Sequence, residues 1–221
     1  MKIPMYKNHL PHTLRGGYVF SFAKHVDSLI PGEIYYPYIS RLRDLKSNMD
    51  TLLRPNSKAT ILDLSQADKE YYTLLKEYKS VMYEYAHKDI PTRVHLARAE
   101  VYEIIRQSLA IEEGKTLHTF AFTLMDNHYH WVARIYDSDP EGKPVVLPKL
   151  LAKLHSIWSR KINFLDGKPG RKVWQNEIFD TILWTKFRIE EAVMYAVQNP
   201  VRAGLCKTPE DWPYTICNYR I

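Results

Sequence analysis

At 221 residues the chain is long enough for one large domain, or for a small catalytic domain carrying an insertion. Hydrophobic residues make up 45% and charged residues 25%, a balance that excludes intrinsic disorder and predicts a packed core. Lys and Arg (31) outnumber Asp and Glu (25) for a net charge of +6, which favours a polyanionic partner without requiring one. The longest apolar stretches, such as residues 119–125, are too short to span a bilayer, and residues 1–4 do not begin a signal peptide. Cys206 and Cys217 lack metal-ligand spacing and predict free thiols in a reducing cytoplasm.

Taken in chain order, residues 14–22 (Gly16 and Gly17 followed by Tyr18, Val19, Phe20 and Phe22) read as a glycine-led strand. Residues 38–53 carry Ile39, Leu42, Leu45, Met49 and Leu52 near helical spacing, and Pro55-Asn56-Ser57 breaks the pattern. Ser65 is the expected N-cap of a second helix, whose stripe is Tyr71, Leu74, Leu75, Tyr78, Val81, Met82 and Tyr85. At that spacing the tyrosines are expected in the core rather than as base-stacking platforms. Pro91-Thr92 is expected to open a third helix through Val94, Val101, Ile104, Ile105 and Leu109, ending at Gly114.

Residues 116–124 and 128–135 are rich in β-formers and flank the turn Met125-Asp126-Asn127, which predicts a hairpin. Leu150, Leu151, Leu154, Ile157 and Trp158 mark a helix. A loop at 167–170, a strand within 172–183 and a helix over 185–198 follow. Asn199-Pro200 is expected to limit that helix, because a residue before proline is pushed from αR geometry. The order is β, helices, β, β, α, β, α. It predicts an α+β fold: a ferredoxin-like antiparallel sheet with helices on one face, plus a helical insertion between the first and second strands. The expected organisation is a single domain over 1–221, with 25–115 as the enlarged insertion.

Side chains two apart on a strand share a face, so His128 and His130 aim their imidazoles at one point while Tyr129 faces the other way. Such a pair suits a divalent metal. In the last helix Tyr195 and Asn199 stand four apart and share a face. A tyrosine hydroxyl becomes a competent nucleophile toward a phosphate when a metal polarises that phosphate and a neighbour assists its deprotonation. The amide oxygen of Asn199 is of the type that could complete the coordination.

Four segments in order carry a family pattern: Asp126-Asn127-His128-Tyr129-His130-Trp131; Val173-Trp174-Gln175-Asn176-Glu177-Ile178-Phe179-Asp180; Tyr195 to Leu205, ending Asn199-Pro200-Val201-Arg202-Ala203-Gly204-Leu205; and Pro209-Glu210-Asp211-Trp212-Pro213-Tyr214. Together they resemble the REP-associated tyrosine transposases, a branch of the single-tyrosine HUH transposases. The resemblance covers 116–216 well and 14–24 loosely. It implies a ferredoxin-like fold, a Mg²⁺ or Mn²⁺ cofactor held by His128, His130 and Asn199, and Tyr195 as nucleophile. The implied product is a transient 5′-phosphotyrosine on single-stranded DNA.

The sequence departs from the pattern at Asp126, where proline is usual; its carboxylate either stands near the metal or makes the turn. Tyr129 replaces an aliphatic residue, and Glu177 stands where a basic residue is common.

Between residues 143 and 172 the basic side chains are Lys143, Lys149, Lys153, Arg160, Lys161, Lys168, Arg171 and Lys172, against the single acid Asp166. This asymmetry predicts a phosphate-facing surface. Lys153, Arg160, Lys161, Arg171, Lys172, Trp174, Gln175 and Arg202 are the expected DNA contacts. Trp158 is expected in the core, and Trp174 reads equally as core or as base platform. The expected partner is single-stranded, hairpin-forming DNA, and the expected assembly a monomer or homodimer. Three other functions stay open: a hairpin-binding protein with little catalysis, a metal-dependent phosphodiesterase with no covalent intermediate, and a non-enzymatic helical interaction module built on residues 25–115.

Overall fold

The computed structural model describes residues 5–7, 11–13, 16–27, 29–52, 58, 60–86 and 92–219. Leu14, Arg15, the Pro55-Asn56-Ser57 break and Pro91 lie outside them. The chain divides into two compact units, one within residues 1–6, 12–27 and 92–221, the other within 7–11 and 28–91. A two-stranded ribbon is formed near the N-terminus by strands β1 (Met5–Lys7) and β2 (Pro11–Thr13).

The second unit is built from helices α1 (Gly32–Leu52) and α2 (Ile61–Ala86), which pack on one another. Helix α1 begins earlier than residue 38, because the Pro31 carbonyl already accepts from the amides of Ile34 and Tyr35. Pro37 removes one amide donor but does not end the helix. Ser65 is not the N-cap of α2. Thr60 fills that role: its amide donates to the Asp63 carboxylate at 2.8 Å and its hydroxyl accepts from the Asp63 amide at 3.2 Å, a capping box. Ile39, Leu42, Tyr71, Leu74, Tyr78 and Met82 are buried, and the ring of Tyr38 stacks on Tyr78. The helical stripe is therefore core, as its spacing predicts.

The first unit is organised on a five-stranded antiparallel sheet. Its strands are β3 (Tyr18–His25), β4 (Leu117–Leu124), β5 (His128–Ile135), β6 (Phe179–Ile182) and β7 (Thr215–Cys217), in the order β6-β3-β5-β4-β7. Without β7 this is the strand order of a split βαβ sheet, and the α+β class follows. Three helices belong to the unit: α3 (Ala99–Glu112), α4 (Leu147–Leu165) and α5 (Lys186–Arg202). Helix α3 starts at Ala99 rather than at Pro91-Thr92, after an extended segment whose Leu96 amide donates to the Asp126 carbonyl. Strand β6 occupies only the end of the expected 172–183 stretch.

The helices lie on both faces of the sheet, where the sequence predicted one. Pleating divides β5 into Tyr129, Trp131, Ala133 and Ile135 on one side and His128, His130 and Val132 on the other. On the first side Phe22, Phe122, Tyr129 and Trp131 meet Trp158 of α4. On the second side Val132, Val19 and Ala121 meet Val193 and Ala196 of α5. A central strand with apolar residues in both registers can be buried only between two helical layers. A bulge between Thr119 and Ala121 keeps β4 in phase with this division.

Helix α5 also continues past Asn199-Pro200 to Arg202. The Ala203 amide donates to the Asn199 carbonyl and Gly204, at φ 71°, closes the turn, so Pro200 costs one hydrogen bond without stopping the helix.

A polar group is enclosed beneath α4. The Tyr129 hydroxyl and His155 Nε2 are 2.7 Å apart. Burial pushes the Tyr129 phenol well above its ordinary pKa, and burial, with the Lys24 charge, holds His155 well below its own. Burial also lowers Lys24 to about 8, against the opposing pull of the nearby Glu177 carboxylate. Between about 8 and the ordinary 10.5 the unfolded chain therefore binds a proton the folded chain has released, and stability rises with pH across that window. The rise from this group is on the order of 3 kcal/mol. Denaturant melts of the wild type should show it, and Lys24→Met should flatten it whatever its effect on absolute stability. A second test concerns the start of β3, where a Cβ on Gly16 would sit 1.8 Å from the Tyr136 carbonyl oxygen. Gly16→Ala should lower stability by roughly 1–3 kcal/mol, the usual cost of forced overpacking, read as a fall in Tm.

Candidate active site on the helix α5 face of the sheet

The site begins at the open end of the central strand pair. Register places His25 of β3 opposite His128 and Ala23 opposite His130, with Thr123 of β4 on the other flank of His130. Small Ala23 leaves room for the imidazole, and the buried His25 ring stacks on His128 at 5.2 Å. His25 was not singled out by sequence, since only the pairing register brings it here.

His128 is buried, and its Nδ1 lies 2.6 Å from Asn127 Oδ1. An amide oxygen only accepts, so Nδ1 carries the proton and the Nε2 lone pair is presented outward. That Nε2 is 3.1 Å from Nε2 of His130. Ring nitrogens at this distance either share a proton or share a cation. Ligands at about 2.1 Å in adjacent positions of an octahedral ion stand about 3 Å apart, so the spacing suits two neighbouring ligands of one divalent ion. Among the described residues no cluster of three or more His, Cys, Asp or Glu converges on one point. A metal here would rely on two imidazoles and neutral oxygen donors.

Helix α5 supplies the rest. Val193, Ala196, Asn199 and Pro200 form its buried stripe. Tyr195, beside that stripe and half-buried, sets its ring edge-on to His130 at 5.2 Å. Asn199, one turn on, is buried. Arg202 continues the same face and holds its guanidinium 4.8 Å above the Tyr195 ring, a cation–π contact. Thus His128, His130, Tyr195 and Asn199 lie on one side of the sheet, with Arg202 over the tyrosine.

The remaining sequence candidates occupy other places. Asp126 is bonded to His95 at 2.8 Å on the exposed turn. Trp174 is buried, its ring against Tyr129, His155 and Trp158, and Gln175 is buried with its backbone N–H donating to the His25 carbonyl. Lys153 pairs with Glu112, and Lys172 with Asp27 at 2.7 Å. Arg171 donates to Asp166, to Asn163 Oδ1 at 3.1 Å and to the Arg93 carbonyl at 2.7 Å. Arg160 and Lys161 are exposed on α4. None of the helices is long and apolar enough to cross a membrane, among the described residues.

No protein-family model matches the sequence, and no curated protein matches it. Among solved structures the chain is similar to a REP-associated tyrosine transposase bound to a REP hairpin, with 11% identity and a TM-score of 0.49. The match covers 96% of this chain and 82% of that one.

If the imidazole pair is a metal site, Mn²⁺ titrations by calorimetry should show binding to the wild type and none to His128→Ala or His130→Ala. Asn127→Ala should bind roughly 10–100-fold more weakly, the usual loss when the partner that orients a ligand is removed.

Proposed function

We propose that this protein is a metal-dependent transesterase that cuts and rejoins single-stranded, hairpin-forming DNA, with Tyr195 as nucleophile and His128, His130 and Asn199 as the metal's protein ligands. The observation that carries the reading is the pair of imidazole Nε2 atoms 3.1 Å apart with the Tyr195 ring resting on one of them. The four ordered motifs add to it.

A Mg²⁺ or Mn²⁺ ion would neutralise charge on a non-bridging oxygen of the scissile phosphate. The residues do the remainder. Asn127 fixes the tautomer of His128. Helix α5 carries the Tyr195 hydroxyl to the same side of the sheet, where its oxygen bonds to phosphorus as the bond to the 3′-oxygen breaks. The departing 3′-oxygen takes up a proton, and a 5′-phosphotyrosine remains. Because the ester conserves the bond energy, attack by a 3′-hydroxyl reverses the step and joins strands without a nucleotide cofactor. Arg202, exposed beside the ring, is placed both to orient Tyr195 and to meet a phosphate oxygen.

Tyr195→Phe removes only the hydroxyl. Incubated with labelled hairpin oligonucleotides and Mg²⁺, this variant should bind DNA as the wild type does while covalent adduct and cleavage vanish together on a denaturing gel. An adduct that persists in Tyr195→Phe would place the nucleophile elsewhere. Cleavage that persists without an adduct would establish hydrolysis by water instead.

A further inference from the structure

Helix α4 buries Leu150, Leu154, Trp158 and Ile162 against the sheet. Its opposite side carries Ser156, Ser159, Arg160 and Asn163, an i, i+3, i+4, i+7 stripe with no carboxylate in it. Between this stripe and the loop over residues 167–170 lies a groove of about 630 Å³, within the roughly 300–1,000 Å³ typical of ligand sites. The loop wall is held firmly. Asn163 donates to the Arg171 carbonyl at 2.6 Å and accepts from its guanidinium, and the Lys168 amide bonds back to the Asn163 carbonyl. Gly167 and Gly170, at φ 60° and 78°, make the turns on either side of Pro169.

The groove's charge is one-sided for a structural reason. Asp166, the only acid between residues 143 and 172, has its two oxygens taken by Arg98 and Arg171. Arg171 is thereby fixed in the wall, whereas Arg160 is exposed and makes no ion pair among the described residues. At the mouth stands Phe164, 87% exposed, an unusual position for a phenyl ring unless something stacks on it.

We propose that this groove is a second nucleic-acid site, taking a nucleotide of single-stranded DNA with its base on Phe164 and its phosphate on Arg160. An aromatic platform beside an exposed cation, with hydroxyls along the floor and no acid, is the composition of a single-strand groove. The site lies beyond α4, on the opposite side of the sheet from Tyr195. It would hold a flanking part of the strand away from the point of cutting. The partner's identity as DNA rests on the function proposed above.

The test uses the full-length protein and a fluorescein-labelled hairpin oligonucleotide with single-stranded flanks, followed by anisotropy over a salt series. Phe164→Ala should weaken binding roughly 5- to 150-fold with the salt slope unchanged, the usual loss when one base loses its stacking partner. Arg160→Ala should reduce the slope by about one unit. Both positions are exposed, so melting temperatures should stay at the wild-type value. Wild-type affinity and slope in both variants would overturn the groove, and if Tyr195 still forms its adduct, the proposed function would survive that result. A wild-type protein that binds no oligonucleotide would overturn both. An acidic peptide that displaces the DNA from wild type but not from Arg160→Ala supports the groove's charge, whereas one that binds while DNA does not would overturn it.

Discussion

One constraint governs the architecture: β5 is central in the sheet and must satisfy a helix on each of its faces. Its odd-numbered residues, Tyr129, Trp131, Ala133 and Ile135, are all buried. They fill the layer under α4 with aromatic surface, each large side chain contributing roughly 1.5–3 kcal/mol by leaving water. That commitment fixes the register, because a slip of one residue would send every one of them to the opposite side. His128 and His130 then have no freedom. They stand at the end of the even-numbered face, one register step from Val132, which packs on α5. The imidazole pair is thus positioned by the packing on the other side of its own strand.

The nucleophile side of the site depends on the same layer. Val193 and Ala196 dock α5 on Val19, Ala121 and Val132, which brings Tyr195 against His130. The helix must run past Pro200 for Arg202 to reach over the tyrosine ring, and it does so because Gly204 turns the chain only afterwards. The C-terminal segment then returns to close the sheet. Thr208 and Asp211 form a capping box, Trp212 Nε1 donates to the Leu124 carbonyl at 2.9 Å, and β7 pairs with β4. This covers the edge beside Thr123, whose hydroxyl lies 3.3 Å from that of Thr215. Lys24, His155, Tyr129 and Glu177 form a buried polar layer under the opposite face, where the Glu177 carboxylate acts on Lys24 and the Lys24 charge on His155.

Much of this was legible in the sequence where a local rule decides the outcome. The 116–135 hairpin, the buried tyrosine stripe of α2 and the shared face of His128 and His130 follow from periodicity and pleat alone. What was not legible came from partners distant in sequence. The apolar spacing of α5 marks it as a helix that packs on the sheet but gives no clue that it occupies the side opposite α4. Pro200 reads as a stop, yet Asn199 and Pro200 are buried on the helix's packed stripe and the Ala203 amide still bonds to the Asn199 carbonyl, so the helix runs through. Ser65 looks like a cap, but the Thr60–Asp63 pair upstream makes both reciprocal bonds. Arg171 and Lys172 read as phosphate contacts from charge density, while the structure shows Asp166 and Asp27 beside them. His25 and β7 enter the site region only through strand pairing, and Trp174 belongs to a ring cluster assembled from β5, α4 and its own loop.

The central claim is that the imidazoles of His128 and His130 converge on a cation rather than merely sharing a proton. Crystals of the full-length protein soaked in Mn²⁺, with diffraction collected at the manganese edge, test it most directly. The account predicts an anomalous peak within about 2.3 Å of both Nε2 atoms and on the side of the sheet that carries Tyr195. A map with no peak there, and with the two Nε2 atoms still at hydrogen-bond distance at saturating Mn²⁺, would contradict it.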